Sequence, residues 1–289
     1  MDKELRKIVI TGTNRGIGYS IIEKFLQSET MKNYFLICTA RSSDSGQKVI
    51  SQFKENNPLF SNHLEFHQLD VTDSESIYKF KIFMKENHGK FDILINNAGI
   101  ALYEKGDEEN LLELIEKTLK VNLHGQINLT ESLLELINEG GHIINISSSY
   151  GVLKMNSKIK QRLLDFQNID DEKFLNLHNE YLESTRKKTW EEDGWLNGSK
   201  LNNGYSISKA FLNLYTRMLD HRLKLKQINI KVNSCSPGHC RTDMGGQNAP
   251  KSALEGADTP VWLAHFSSEN NESLSGNFYR DRLLSSYYI

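Results

Sequence analysis

The sequence predicts an α/β protein in which a single doubly wound parallel sheet of six to seven strands carries helices on both faces. Three observations predict it. Short apolar runs alternate with longer amphipathic stretches along the 289 residues, the pattern of repeated β-α units. Each gap between successive runs accommodates the crossover of about a dozen residues that parallel strands require. The first run is followed at once by a glycine-rich turn, Thr11 to Gly18, and then by an amphipathic stretch, which is how a strand hands over to a helix at a phosphate site.

In chain order, strands are expected at Lys7–Thr11, Tyr34–Thr39, Leu64–Leu69, Phe91–Asn96, His142–Ser147, Ile230–Ser234 and near Gly276–Tyr279. Helices are expected between them at Ile17–Gln27, Ser45–Asn56, Ser74–His88, Leu111–Asn138, Tyr205–Leu225 and Lys251–Phe266. One segment breaks the rhythm. Between Gly151 and Tyr205 the chain is dense in Lys, Glu, Asp and Asn and holds no strand-like run. Ile159, Leu163 and Phe166 keep helical spacing there, as do Phe174, Leu177, Tyr181 and Leu182. The reading is one domain over residues 1–289 with a helical insert at about 152–203, two short helices packed over the site.

Composition excludes several classes. Thirty-five basic residues against 37 acidic ones leave a net charge of -2, which argues against a general nucleic-acid or membrane-surface protein. No stretch approaches the ~20 apolar residues of a membrane span, and mean hydropathy is -0.51. The three cysteines, Cys38, Cys235 and Cys240, lack metal-site spacing and read as thiols of a reducing compartment. Residues 1–6 carry no apolar core of a signal peptide. A cytoplasmic protein with no bound metal is expected.

The glycine turn reads as a dinucleotide site on a Rossmann-like sheet. Gly12 permits the tight turn, Gly16 lets backbone approach a pyrophosphate, and Gly18 allows close helix–strand packing. Thr13, Asn14, Arg15 and Ile17 complete the cradle, and the helix N-terminus offers N–H groups and a positive dipole to phosphate. The second strand, Leu36-Ile37-Cys38-Thr39-Ala40, ends in Arg41. A carboxylate there would select NAD, whereas a guanidinium can bind a 2′-phosphate. With Arg15 as a second nearby cation, NADPH is favoured, although Asp44 three residues on opposes it. Asp70-Val71 ends the third strand where a carboxylate can accept from the adenine amino group; Asp73 or Thr72 would serve equally as the cap of the next helix. Asn97-Ala98-Gly99 ends the fourth and leaves room for a ribose.

Two features supply chemistry. Tyr205 and Lys209 are four residues apart and share a face of any helix there. A phenol is a poor proton donor near neutrality until a nearby cation makes its anion accessible, and Lys209 is placed to be that cation. The fifth strand runs into Ser147-Ser148-Ser149, where a hydroxyl can stabilise the oxyanion that develops when hydride adds to a carbonyl. Physics alone does not choose among the three serines.

Together, Thr11-Gly12-x-x-x-Gly16-Ile17-Gly18, Asn96-Asn97-Ala98-Gly99, Ser148, Tyr205-x-x-x-Lys209 and Pro237-Gly238 resemble the short-chain dehydrogenase/reductase family in order and spacing over nearly the whole chain. Within it the chain is similar to the monomeric NADPH-dependent carbonyl reductases. His67-Gln68-Leu69-Asp70, the insert with Gly194-Trp195, Arg241-Thr242-Asp243-Met244 and Glu255-Gly256-Ala257-Asp258-Thr259-Pro260-Val261 carry that likeness.

The resemblance implies that Ser148 polarises the carbonyl, Tyr205 protonates its oxygen, and Lys209 tunes the tyrosine and binds the nicotinamide ribose. It implies that Asn122, next to Val121 at the cofactor, supports the proton relay, and that Pro237, Gly238 and Thr242 touch the nicotinamide amide and phosphates. Ser148, Tyr150, Trp195 and His239 are assigned to the substrate side. At His239 the carbonyl reductases tend to have Trp, and after Ser148 they have aliphatic residues rather than Ser149 and Tyr150, so substrate specificity does not carry over. The expected reaction is NADPH-dependent reduction of a small carbonyl compound by a monomer. Two alternatives stand beside it: an NAD(P)-dependent alcohol dehydrogenase working oxidatively, and a non-catalytic NADPH-binding regulatory protein.

Overall fold

Ile8, Val9 and Ile10 are fully buried, because a run apolar on both faces is stable only inside a sheet covered on both sides. The computed structural model describes residues 5–102, 110–151, 157–195, 203–266 and 274–287. Its first half alternates β1 (Arg6–Ile10), α1 (Gly16–Leu26), β2 (Tyr34–Ala40), α2 (Ser43–Asn56), β3 (Leu64–Gln68), α3 (Ser74–Asn87) and β4 (Phe91–Asn96). Then come α4 (Leu111–Leu119), a π-helical segment (Lys120–Gly125), α5 (Gln126–Leu133) and β5 (Ile137–Ile146). The second half adds α6 (Ser157–Leu164), α7 (Asp171–Arg186), α8 (Asn203–Leu225), β6 (Ile230–Ser236), β7 (Cys240–Arg241), β8 (Lys251–Ser252), α9 (Ala253–Gly256), α10 (Asp258–Phe266), β9 (Phe278–Arg280) and β10 (Leu283–Ser285).

Among the described residues, eight strands form the main sheet in the order β10-β9-β6-β5-β4-β1-β2-β3. All neighbours are parallel except β9 and β10. Alternation along each strand sends Val9, Leu94, Ile143 and Val232 into a layer with α3, α4, α5 and α8. Ile8, Ile10, Ile93, Ile95 and Ile144 go to the opposite layer with α1, α2 and α10. The order reverses between β1 and β4, so the crevice at their carboxyl ends is the topological switch point where such sheets bind ligands.

The expected elements are present with corrected edges. The sheet has eight strands rather than six to seven. The extra one, β10, pairs antiparallel with β9 through Asp281 and Arg282, both at positive φ (54° and 61°). That two-residue turn lacks the Asn-Gly or Asp-Gly signature by which such hairpins are read. The helix expected over Leu111–Asn138 ends with α5 and a short 3₁₀ turn at Leu134–Leu136, and Asn138 belongs to β5, which begins at Ile137 and slips register between Phe91 and Ile93 of β4. The helix expected over Lys251–Phe266 opens instead with two residues paired to Cys240 and Arg241. Ser252 then caps α9 in a reciprocal box with Glu255.

The insert helices are anchored as their spacing suggested. Ile159 and Leu163 of α6 and Leu177 and Tyr181 of α7 are buried in the same apolar layer as Phe211 and Leu214 of α8. Arg162 and Glu180 join α6 to α7 by two parallel bonds of 2.7 and 2.8 Å. His178 on α7 meets His124 of the π segment, Nε2 to Nε2 at 3.1 Å; burial lowers both imidazoles, His124 to about 4. Trp195 is 2 % exposed, edge-on to Tyr181 at 5.5 Å and stacked on Phe211 at 6.2 Å. Removing this ring empties a large buried volume. Trp195→Ala is expected to lower unfolding free energy in urea by about 3–5 kcal/mol, and a change below about 1 kcal/mol would contradict this packing.

Candidate active site

The glycine turn leaves β1 and crosses the ends of β2 and β4. Gly12 and Gly16 have φ of +67° and +58°, a region costly for residues with a Cβ. A Cβ on Gly18 would lie 2.2 Å from the Gly12 carbonyl oxygen and 2.5 Å from Asn97 Nδ2. Asn97 Nδ2 itself donates to the Thr11 and Gly12 carbonyls at 2.8 and 3.1 Å. The Thr11 hydroxyl accepts from the backbone N–H of Asn97 and of Ala98, both at 2.9 Å. Thr13 ties the turn to β2, its N–H 2.9 Å and its hydroxyl 3.1 Å from the Thr39 oxygen.

These residues fit a dinucleotide phosphate. Arg15 precedes α1 in extended conformation without a side-chain cap bond, and the first turn contains no acidic residue. Uncapped amides and a positive helix end are the recognition elements for an anion. Ile17 packs against the second core layer, and Gly16 faces Thr242, whose Cγ2 would be 3.6 Å from an added Cβ.

Beyond the turn lie the residues expected to face the adenine and the 2′-phosphate. Arg41 is exposed directly after β2, and its carbonyl accepts from Gln68 Nε2 at 3.1 Å. Arg15 is paired with Asp243 at 3.1 Å, both side chains more than two-thirds exposed, a contact of small worth that a phosphate could displace. Asn14 reaches Ser45 at 3.3 Å. Asp70 Oδ1 accepts from the Thr72 N–H (2.9 Å) and hydroxyl (2.8 Å). Asp73, not Asp70, caps α3 by accepting from the Glu75 N–H, leaving the Asp70 carboxylate at the strand end. Val71 is buried and touches the position of Gly125, where a Cβ would be 2.8 Å from its oxygen; Val121 packs beside that layer.

The second cluster forms where α8, β5 and the π segment converge. Lys209 is 4 % exposed and donates from Nζ to the Ile146 carbonyl at 2.8 Å. Its Nζ lies 5.7 Å from the centroid of the Tyr205 ring, one helical turn earlier. Asn122, fully buried, brackets the Ile100 backbone: Oδ1 accepts from its N–H and Nδ2 donates to its carbonyl, both at 2.8 Å. A Cβ on Gly99 would stand 3.3 Å from Asn122 Oδ1 and 3.7 Å from Lys209 Nζ, so these groups meet at one point. The Ser147 hydroxyl donates to the Lys209 carbonyl at 3.2 Å. Next to it, Ser148 is 8 % exposed, and its hydroxyl accepts from the Tyr150 N–H at 3.1 Å.

Two contributors escaped the sequence reading. Ser208, fully buried, accepts from Asn122 Nδ2 at 3.1 Å and donates to the Tyr205 carbonyl at 2.7 Å. Its position inside the Tyr205–Lys209 pentapeptide was the available signal. Thr11 was visible as the first residue of the glycine motif, but its bridging of two loops requires the fold.

Of the residues expected on the substrate side, Tyr150 stands 58 % exposed beyond Ser148. His239 Nε2 lies 2.8 Å from the Gly245 carbonyl, which makes it the donor. Pro237 and Gly238 (φ +81°) follow β6, and the Thr242 hydroxyl accepts from the Gly245 N–H at 3.1 Å. Trp195, also expected on the substrate side, is buried against Tyr181 and Phe211 in the packing of the insert. Among the described residues no group of three or more His, Cys, Asp or Glu is placed to hold a metal, and no helix is long and apolar enough to cross a membrane.

Comparison with known proteins bears on this geometry. The short chain dehydrogenase family profile matches residues 6–159. Carbonyl reductase (NADPH) 1 of Sus scrofa is 32% identical over 288 residues, covering 98% of this chain and 94% of the relative. The (+)-neomenthol dehydrogenase of Arabidopsis thaliana is 33% identical over 303 residues, covering 98% of each. Among solved structures, salutaridine reductase from Papaver somniferum superposes with a TM-score of 0.81 at 30% identity, covering 95% of this chain and 99% of that one.

Burial lowers the Lys209 ammonium from its usual 10.5 to about 8. An unfolded lysine keeps its proton to about pH 10.4, so between those two values the unfolded chain binds more protons and stability rises with pH. Below that window both states are charged and the desolvation cost is fully present. At about pH 7, Lys209→Met is therefore expected to be more stable than the parent by up to ~3 kcal/mol, less the lost bond to Ile146, and this advantage should vanish by about pH 10.5. Urea unfolding across that range checks it; a parent–variant difference independent of pH would contradict it.

Proposed function

The chain belongs to the short chain dehydrogenase family, and from that premise we propose that it is an NADPH-dependent carbonyl reductase, converting a ketone, aldehyde or quinone to the alcohol. One observation carries the reading. Lys209 is buried one helical turn from Tyr205 and bonded to Ile146, at the end of the strand that leads into Ser148. A buried amine beside a phenol and a strand-end hydroxyl is what protonating a carbonyl oxygen requires. Names of relatives that share most of the chain support the cofactor and reaction class.

NADPH, when bound, supplies the hydride that the carbonyl carbon accepts. Gly12, Thr13, Gly16, Ile17 and the first amides of α1 would hold its pyrophosphate, with Arg15 and Arg41 toward the 2′-phosphate and Asp70 and Val71 toward adenine. Asn97, Ala98, Gly99 and Val121 would line its ribose, and Pro237, Gly238 and Thr242 the nicotinamide. Ser148 donates a hydrogen bond to the carbonyl oxygen and stabilises its growing negative charge. Tyr205 passes its phenolic proton to that oxygen, completing the alcohol. Lys209 favours the phenolate left behind and reaches the ribose, while Asn122, with Ser208, orders the path by which Tyr205 regains a proton. Tyr150 and His239 form the outer wall of the carbonyl site.

Three buried thiols without a disulfide fit a reducing cytoplasm. We read residues 1–289 as one catalytic unit in which the insert covers a face of α8, leaving a monomer. Gel filtration should give one species near 33.2 kDa; elution at a multiple of that mass would overturn the monomer.

Menadione, isatin, an aromatic aldehyde and a simple ketone, each mixed with NADPH, test the activity through loss of nicotinamide absorbance. Turnover is expected on at least one, much weaker with NADH. Tyr205→Phe should lower it by about 10²–10⁴-fold while NADPH affinity changes little. Tight NADPH binding with no turnover on any of the four would favour a non-catalytic sensor.

A further inference from the structure

Ser236 ends β6 immediately before Pro237-Gly238 and is 2 % exposed. Its hydroxyl oxygen lies 3.1 Å from the Ser149 backbone nitrogen, 3.2 Å from the Gly238 backbone nitrogen and 3.1 Å from the Ser149 hydroxyl. A serine hydroxyl offers two acceptor positions and one proton. The two amides occupy the acceptor positions, so the proton goes to Ser149 and the group is saturated.

Its partners belong to different loops. Ser149 follows Ser148, the hydroxyl assigned to the carbonyl, whereas Gly238 belongs to the turn assigned to the nicotinamide. Parallel pairing holds β5 to β6 as far as Ile146 and Cys235, with one further bond from the Ser147 N–H to the Cys235 carbonyl at 2.8 Å. No further backbone bond joins the two segments among the described residues, and the Ser236 hydroxyl bridges them instead. Gly238 turns its N–H back toward it at a φ of +81°, a conformation that glycine adopts without cost.

We propose that Ser236 is a positioning residue that fixes the Ser148 loop against the Pro237-Gly238 loop and so sets where the substrate oxygen sits relative to the hydride donor. This rests on the carbonyl reductase reading above. Replacing Ser236 by an apolar residue takes the shared acceptor from two half-buried amides and frees the two loops to separate, whereas a threonine keeps the hydroxyl.

The test compares Ser236→Ala and Ser236→Thr with the parent in NADPH oxidation on the best substrate of the panel, using NADPH and NADPH deuterated at the transferred position. Ser236→Ala is expected to lose about 10- to 100-fold in kcat, with KM for NADPH little changed and a larger isotope effect as hydride transfer becomes limiting. Ser236→Thr should recover most of kcat. Parental kcat and isotope effect in Ser236→Ala would overturn the proposal, as would equal losses in both variants tracking their melting temperatures. If the parent turns over none of the substrates, the carbonyl reductase reading has failed. The clamp is then judged by amide exchange: faster exchange at Ser149 and Gly238 in Ser236→Ala supports it, and unchanged exchange overturns it.

Discussion

Keeping an ammonium inside the protein is the constraint around which the chemical half of the molecule is arranged. Lys209 sits where water is excluded, and a charge taken from water is costly unless hydrogen-bonded and closely surrounded by polar groups. The Ile146 carbonyl, at the last residue of β5, provides the bond. The surrounding chain has little freedom: a Cβ on Gly151 would stand 2.7 Å from the Lys209 carbonyl carbon. Asn122 reaches the same point from a π-helical segment, the kind of local widening of a helix that recurs at functional sites. Its amide has no spare donor for casual use, since both protons go to Ile100 and Ser208.

The other half depends on backbone approaching backbone. The turn after β1, the end of β4 and the start of α1 are bound together by the Thr11 hydroxyl and the Asn97 amide. With Gly18 forced to be small by the Gly12 carbonyl, the first turn of α1 is left uncapped at the mouth of the switch-point crevice. The two ends of the candidate site are therefore built by different means. Amide groups and a helix dipole line the first, and a desolvated cation stands at the second. They are joined at Gly99 and along the parallel strands between them.

The insert shows how helical spacing can be legible while its purpose is not. Ile159, Leu163, Leu177 and Tyr181 kept a helical period and are buried accordingly. Yet Trp195, placed by likeness on the substrate side, lies in the core because Phe211 of α8 offers it a stacking partner. Nothing in the local sequence around Trp195 distinguishes the two destinations, since an indole suits either. His124 was equally silent: only its contact with His178 on α7 gives it a role in seating the insert.

From the sequence alone came the alternation of strands and helices, the glycine turn at the end of the first strand, and the pairing of Tyr205 with Lys209, because these depend on residues close together in the chain. Gly12, Gly16 and Gly18 are local necessities of one turn, and a spacing of four puts two side chains on one helix face wherever that helix lies. Tertiary structure alone decided which of three adjacent hydroxyls does what. Ser147 turns to the Lys209 carbonyl, Ser148 accepts from its own turn, and Ser149 is tied to Ser236 87 residues away. It likewise decided that β10 closes the sheet edge, and that Asn122 faces Ile100. Each of these is a contact between segments remote in sequence, made only when the sheet brings their ends together, so no local pattern could carry it.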